Sequence, residues 1–177
     1  MRVLVLGGIR SGKSHWAEEQ IAEIAGEAAP VRYLATAPAT DNAQWADRIA
    51  AHRARRPPQW STVEDADVAG LLRATATATL VDDIGNWLTA AMDRRGAWQG
   101  GSVADLVDEL VAEVKQFDSP LVLVSPEVGL TVVPATEAGR RFTDALGTLN
   151  QGLAAVCDRV VLIVAGLPVT LKTDGVR

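Results

Sequence analysis

Residues 7–14 carry the clearest chemical signal in the chain. They read Gly-Gly-Ile-Arg-Ser-Gly-Lys-Ser and match the phosphate-binding pattern G-x-x-x-x-G-K-[ST] without a mismatch. Glycines allow successive backbone amides to curl around a phosphate, and the start of the next helix adds partial positive charge. We expect Lys13 to reach the β- and γ-phosphates and Ser14 to ligate Mg²⁺. The loop predicts binding of a purine nucleoside triphosphate by Gly7, Gly8, Ile9, Arg10, Ser11, Gly12, Lys13 and Ser14.

A pair of aspartates follows the apolar run at residues 77–81, which predicts a strand. A carboxylate at such a strand end can hold Mg²⁺ or its water shell beside a phosphate loop. Asp82 comes directly after the run and is the favoured ligand, with Asp83 as the rival. In a third interpretation the pair only caps the next helix.

His52 stands among four arginines within residues 48–57. This segment could be a solvated helix face or a nucleic-acid patch. It could also be a triphosphate clamp that encloses a nucleophile, because arginine binds phosphate bidentately and nearby positive charge favours neutral imidazole. A neutral imidazole can attack a phosphate and form a phosphoramidate. The spacing leaves these three interpretations open.

Short apolar runs alternate with longer helical patterns along the chain. Strands are predicted at 2–6, 31–36, 77–81, 120–125 and 159–165, with residues 166–168 as a break and the tail as a candidate edge strand. Helices are predicted at 13–25, 41–55, 65–73, 87–94, 103–117 and 135–156. This alternation predicts an α/β fold in which helices flank a parallel sheet. No linker divides the sequence, so residues 1–177 are expected to form a single P-loop nucleotide-binding domain.

Composition narrows the possible partners. The net charge of −5 over 177 residues disfavours nucleic acid and anionic membranes. No apolar run is long enough for stable membrane insertion, and the start of the chain lacks the pattern of a secretion signal. The single cysteine, Cys157, cannot form an internal disulfide and is expected to be buried. We therefore expect a cytoplasmic protein.

Several motifs stand in an order that is typical of one enzyme family. They are residues 7–14, 33–37, Arg48-Ile49 with His52, Arg56-Pro57 with Trp60, Thr62 and Glu64, residues 80–82 with 87–89, 127–129 with 133–134, 141–151, and 166–168 with Lys172. Together they resemble the bifunctional adenosylcobinamide kinase / adenosylcobinamide-phosphate guanylyltransferase family of cobalamin biosynthesis. The resemblance covers essentially the whole chain.

This resemblance implies two transferase activities, those of a kinase and a nucleotidyltransferase. Adenosylcobinamide would be phosphorylated with ATP or GTP. GMP would then pass from GTP to adenosylcobinamide phosphate through a guanylylated His52, giving adenosylcobinamide-GDP and pyrophosphate. The resemblance also implies a RecA-like core, a homotrimer, and further nucleotide contacts from Ala35, Thr36, Ala37, Arg53, Ala54, Arg55, Arg56, Glu64 and Asp82.

Two other functions remain open at this point. A different small-molecule P-loop kinase would bind the same nucleotides without a covalent step. A non-catalytic nucleotide-dependent switch would bind nucleotide without turnover on any corrinoid. Removal of the His52 imidazole separates the first alternative from the bifunctional enzyme, because only the covalent route needs it.

Overall fold

A seven-stranded sheet forms the centre of the protein. The structure is a computed structural model that describes residues 1–36 and 56–173. The strands are β1 (Arg2–Gly7), β2 (Val31–Ala35), β3 (Ser61–Glu64), β4 (Ala78–Asp82), β5 (Leu121–Pro126), β6 (Arg159–Val164) and β7 (Leu167–Lys172). Their order across the sheet is β3-β2-β4-β5-β1-β6-β7. Strands β1 to β6 run parallel, and β7 pairs antiparallel with β6.

Helices cover both faces of this sheet. They are α1 (Lys13–Ala25), α2 (Val68–Arg73), α3 (Ile84–Arg95), α4 (Ala104–Gln116) and α5 (Glu137–Val156), with a short 3-10 turn at Ala97–Gln99. Successive side chains of a strand point to opposite faces, and β1 shows this directly. Leu4 and Leu6 join the core under α2 to α5, whereas Val3 and Val5 join the core under α1. The predicted α/β fold is confirmed.

The chain after β6 forms the edge of the sheet. A turn at Ala165 and Gly166 reverses the chain, and β7 follows, which confirms the predicted edge strand. Pro168 lies inside β7, although the sequence suggested a break there. Proline is tolerated in an edge strand because one side of the strand needs no ladder hydrogen bonds. Lys172 then donates to the carbonyl oxygens of Ala154, Ala155 and Cys157 at 2.7–3.1 Å and closes the end of α5.

Some predicted boundaries differ from the structure. Strand β3 was not predicted, helix α2 begins at Val68 after an Asp67 cap, and α3 begins at Ile84 rather than residue 87. The 96–102 connection is partly ordered by Trp98, whose ring stacks on Phe142. The helix predicted at 41–55 lies outside the described residues. Within the described ranges, no helix has the length and apolar character needed to cross a membrane.

Candidate active site

The phosphate loop joins the end of β1 to the start of α1. Gly12 precedes the first helical residue with a φ of 94°, and Arg10 has a φ of 56°. At Gly7, a Cβ atom would come within 2.4 Å of the Ser11 hydroxyl oxygen and 3.0 Å of the Ile163 carbonyl oxygen, so a side chain there would force its neighbours to move. The left-handed position at Gly12 likewise favours glycine. The two glycines therefore explain how the loop can turn back on itself before the helix begins.

Two neighbouring loops fix the phosphate loop in place. The Gly166 amide donates to the Ser11 carbonyl at 2.8 Å, and the Glu127 amide donates to the Gly7 carbonyl at 3.1 Å. A Cβ on Gly12 would lie 3.3 Å from the Gly166 Cα, so the β6–β7 turn touches the loop directly. Lys13 extends its Nζ to the Gly8 carbonyl at 3.3 Å. Its ammonium group thus lies along the loop, where the β- and γ-phosphates are expected.

Asp82 faces this loop although its strand is not adjacent to β1. Strand β5 lies between β4 and β1. Helix α1 packs across both β5 and β4, and this brings its first turn toward the end of β4. The Ser14 hydroxyl oxygen is consequently 3.4 Å from Asp82 Oδ1. The structure brings the two predicted magnesium ligands together at the carboxyl ends of the parallel strands.

Asp83 has a different position. Its carboxylate accepts a hydrogen bond from the Asn86 amide at 2.8 Å and caps the N-terminus of α3. Burial raises the pKa of Asp83, since desolvation outweighs the stabilising hydrogen bonds from the Asn86 and Gly85 amides. The Asp82–Asp83 peptide bond is cis. The capping interpretation thus applies to Asp83, and Asp82 is the carboxylate directed at Ser14.

The ends of β2 and β3 carry three more of the residues that are predicted to contact the nucleotide. Ala35 pairs in register with Asp82 on one side and with Glu64 on the other. Thr36 donates its amide to the Asp82 carbonyl at 3.2 Å and its hydroxyl to the Asp83 carbonyl at 2.5 Å. The carboxyl ends of the parallel strands therefore place Ala35, Thr36 and Glu64 close to Asp82.

Tyr33 is a buried residue of β2 that contacts Asp82 from the interior of the protein. Its hydroxyl donates to Asp82 Oδ2 at 2.5 Å, and the residue is only 3% exposed. Burial, followed by the nearby Asp82 carboxylate, raises the pKa of Tyr33, so the hydroxyl stays protonated and remains a donor. Tyr33 belongs to the motif at residues 33–37, but the sequence alone indicates no role for it. The available signal was that the chain's single tyrosine lies within a predicted strand.

Arg56 lies behind Tyr33 instead of projecting into solvent. Its guanidinium carbon is 3.2 Å from the centroid of the Tyr33 ring. Nη1 donates to the Thr62 hydroxyl at 2.9 Å, and Nε lies 3.8 Å from Glu18 Oε1. The side chain is 8% exposed. The other predicted contacts of this region, Ala37, His52, Arg53, Ala54 and Arg55, lie outside the described residues.

The oxygen donors at Ser14 and Asp82 suit a magnesium ion. Mg²⁺ takes one or two protein ligands and completes its shell with water and substrate phosphates. A hydroxyl and a carboxylate at the mouth of a phosphate loop have this composition. Among residues 1–36 and 56–173, no group of three His, Cys, Asp or Glu side chains could form a self-sufficient metal cage. The donor set therefore fits a metal that arrives with a nucleotide.

Comparisons with known proteins agree with this geometry. The family model described as cobinamide kinase / cobinamide phosphate guanyltransferase matches residues 3–171. The chain is 42% identical to the bifunctional adenosylcobalamin biosynthesis protein CobP of Pseudomonas aeruginosa, over 98% of this chain and 99% of that protein. It is 35% identical to CobU of Salmonella typhimurium, over 97% of this chain and all of that protein. It is 34% identical to CobU of Escherichia coli with the same coverage. The chain belongs to the cobinamide kinase / cobinamide phosphate guanyltransferase family.

Proposed function

We propose that this protein catalyses two successive reactions of adenosylcobalamin biosynthesis. It phosphorylates adenosylcobinamide with ATP or GTP and then transfers GMP from GTP to adenosylcobinamide phosphate. The observation that carries this proposal is the convergence of Lys13, Ser14 and Asp82 at one phosphate loop, in a chain that the family model matches from residue 3 to residue 171.

The kinase reaction uses the loop for positioning and charge neutralisation. The hydroxyl of the aminopropanol arm attacks the γ-phosphorus, its proton is released, and the nucleoside diphosphate leaves. Lys13 and the loop amides neutralise charge on the β- and γ-phosphates. Bound Mg²⁺ would add further charge neutralisation, and Ser14 and Asp82 would hold it. The fixed loop geometry supports this role, since phosphoryl transfer depends mainly on alignment.

The nucleotidyl transfer proceeds through His52. Its neutral imidazole attacks the α-phosphorus of GTP, a P–N bond forms, and pyrophosphate leaves. A phosphate oxygen of adenosylcobinamide phosphate then attacks the same phosphorus, giving adenosylcobinamide-GDP and free His52. The contacts to the nucleotide would come from residues 7–14 and from Ala35, Thr36, Ala37, Arg53, Ala54, Arg55, Arg56, Glu64 and Asp82.

A covalent labelling experiment tests the second reaction. The purified protein is incubated with Mg²⁺ and GTP that carries ³²P at the α-phosphate, and the denatured protein is counted. We expect one labelled site per chain, stable in base and lost in acid, as a phosphoramidate requires. The His52→Ala variant should take up no label while it still phosphorylates adenosylcobinamide.

Two controls make the result specific. His15→Ala removes the other histidine, which is exposed and pairs with Glu19 on α1, and this variant should label as the wild type does. GTP labelled at the γ-phosphate should leave no label on the protein. Absence of label from wild-type protein with measured GTP binding would contradict the guanylyltransferase step and favour a plain P-loop kinase.

The organisation of the active protein is also part of the proposal. Residues 1–177 form a single P-loop domain, and three copies form a homotrimer in the cytoplasm. The family resemblance supports the trimer, and light scattering at a mass three times that of one chain would verify it. A monomeric mass at micromolar concentration would oppose it.

A further inference from the structure

The kinase reaction needs a group that takes the proton of the attacking hydroxyl, and the phosphate loop does not supply one. Residues 7–14 contain no carboxylate and no histidine. In other phosphoryl transfers a carboxylate beside the transferring phosphate accepts this proton. Among the described residues, five carboxylates lie at the carboxyl ends of the parallel strands or directly after them. They are Glu64, Asp65, Asp82, Asp83 and Glu127.

Four of these carboxylates have other positions or partners. Glu64 and Asp65 stand at the end of β3, the outermost strand, which is separated from β1 by β2, β4 and β5. At a usual strand spacing, β3 lies about 19 Å across the sheet from β1. Asp82 faces the proposed metal position, and Asp83 caps α3. Glu127 is the remaining candidate.

Glu127 lies beside the phosphate loop, on the side that faces Asp82. Its strand, β5, runs between β4 and β1, and Pro126 pairs in register with Gly7. The Glu127 amide donates to the Gly7 carbonyl at 3.1 Å. Its backbone is therefore within about 5 Å of the first residue of the loop. The transferring phosphate is expected in this region, between the loop and Asp82.

The local backbone holds the Glu127 side chain through one of its two carboxylate oxygens. Oε1 accepts a hydrogen bond from the Gly129 amide at 2.6 Å. A Cβ atom on Gly129 would lie 2.9 Å from that oxygen, so glycine allows the turn to close on the carboxylate. Within residues 1–36 and 56–173, no arginine or lysine pairs with Glu127, and Oε2 has no donor. One carboxylate oxygen is thus fixed, and the other is open to a ligand.

We propose that Glu127 is the general base of the kinase reaction, an inference that rests on the function proposed above. The acceptor oxygen forms a bond to the γ-phosphorus, and its proton passes to Oε2 of Glu127. The bond from the γ-phosphorus to the bridging oxygen breaks, and that oxygen leaves with the electron pair as part of the nucleoside diphosphate. Glu127 then returns the proton to water.

Glu127→Gln tests this role, because glutamine keeps the size of the side chain and an oxygen for the Gly129 contact but does not accept a proton. The transfer of ³²P from γ-labelled GTP to adenosylcobinamide is measured at saturating substrates. We expect kcat to fall roughly a hundredfold, as loss of a general base does. The affinity for a non-hydrolysable GTP analogue and the uptake of label from α-³²P GTP should be unchanged, because neither involves the acceptor hydroxyl.

Glu137→Gln provides the matched control. The Glu137 side chain is 71% exposed on α5 and pairs with Arg141, so this variant should phosphorylate at the wild-type rate. Equal kcat values for Glu127→Gln and wild type would refute the inference. A parallel fall in GTP affinity would refute it as well, since Glu127 would then only support the phosphate loop. A wild type that binds GTP but does not phosphorylate adenosylcobinamide would contradict the proposed kinase function itself.

Chemical rescue separates proton transfer from support of the loop. Glu127→Ala removes the carboxylate and leaves space that formate can enter. Formate should raise the phosphorylation rate of Glu127→Ala roughly tenfold and leave that of Glu127→Gln unchanged, because glutamine fills the space. A side chain that only holds the Gly129 amide predicts no rescue, and that result would overturn the proposal. If Glu127→Gln does not fold, the rescue of Glu127→Ala is the deciding measurement.

Discussion

Adjacent residues of one type can serve separate purposes, as Asp82 and Asp83 demonstrate. Asp82 lies between Tyr33 and Ser14, whereas Asp83 turns away and caps α3 through the Asn86 amide. The sequence offered both as metal ligands, since each follows an apolar run. Only the direction of each side chain divides the roles, and that direction depends on the local backbone.

The capping role of Asp83 leads to a prediction about pH. Its pKa is raised in the folded protein, so the folded state holds this proton more tightly than the unfolded state does. Stability that depends on Asp83 is therefore greatest below its unfolded pKa and falls as pH rises through the folded pKa. Asparagine caps helices as well as aspartate does but does not titrate here. We expect Asp83→Asn to gain stability relative to wild type as the pH rises above the ordinary aspartate pKa of 3.8, and to level off once the pH exceeds the raised pKa of the folded state.

Urea unfolding of both proteins across this pH range measures the difference. The exposed cap Asp67 on α2 provides a comparison, because it makes the same type of bond to the Gly70 amide at 3.0 Å in a solvent-exposed setting. Asp67→Asn makes the same chemical change at this exposed cap and serves as the matched control. A constant difference between Asp83→Asn and wild type would show that burial does not perturb Asp83.

At the scale of elements, contacts between β5 and α5 hold the end of the sheet that carries the site. The Ser125 hydroxyl on β5 donates to Asn150 Oδ1 on α5 at 2.6 Å, and the side-chain Nδ2 of Asn150 donates to the Pro126 carbonyl at 3.1 Å. Both side chains are buried. This polar pair fixes α5 against the end of β5, immediately before the loop that contacts Gly7.

Removal of one partner should therefore destabilise the protein. Ser125→Ala leaves Asn150 Oδ1 buried without its donor, which costs about 1–3 kcal/mol. Thr148→Ala, on the exposed face of the same helix, should change the free energy of unfolding by less than about 0.5 kcal/mol. Chemical denaturation of the three proteins provides the comparison. Equal stability of Ser125→Ala and wild type would mean that the pair is replaceable.

The elements that the sequence predicts correctly carry strong local signals, whereas the elements that it misses carry weak ones. Strand β1 and helix α1 were predicted within a residue because an apolar run, a complete phosphate-loop motif and a helix follow one another. Strand β3 was missed because its four residues are mostly exposed and only Val63 is apolar. The early start of α3 was missed because Gly85 and Asn86 are poor helix formers. The Asp83 cap and the buried Ile84 outweigh their weak propensity.

The residues of the candidate site are likewise predictable only where a local sequence signal marks them. Residues 7–14 and Asp82 were predicted because a short motif and a strand end specify them locally. The contact of Arg56 with Tyr33 could not be predicted, since the two residues lie 23 positions apart and their meeting depends on how β2 and β3 pair. Long-range packing of this kind leaves no periodic trace in a single sequence.

At the scale of the whole molecule, Cys157 provides a probe of global unfolding. It follows α5, is 1% exposed, and lies in the core beneath α2 to α5. Burial raises the pKa of Cys157 to about 12, so at neutral pH almost no reactive thiolate is present. Its reaction therefore requires that the core open.

We expect iodoacetamide to leave the folded protein unmodified at pH 8 and to alkylate it fully in concentrated urea. If residues 1–177 unfold as one domain, the midpoint of alkylation in urea will coincide with the midpoint seen by circular dichroism. Rapid alkylation in native buffer would show that α5 separates locally from the sheet. Two distinct midpoints would show that the chain unfolds in more than one unit.

The turn between β6 and β7 joins the phosphate loop to the outside of the molecule. On the inner side Gly166 touches Ser11 and Gly12, while the next residue, Leu167, is 69% exposed. Since Cys157 is inert in the folded state, a cysteine placed at Leu167 would be the only thiol open to a dye. Nucleotide binding in the phosphate loop would act on the dye through the Gly166 contacts with Ser11 and Gly12. The dye itself would not touch the nucleotide. A dye attached at residue 167 would therefore report, by a change in its fluorescence, whether nucleotide is bound in the phosphate loop.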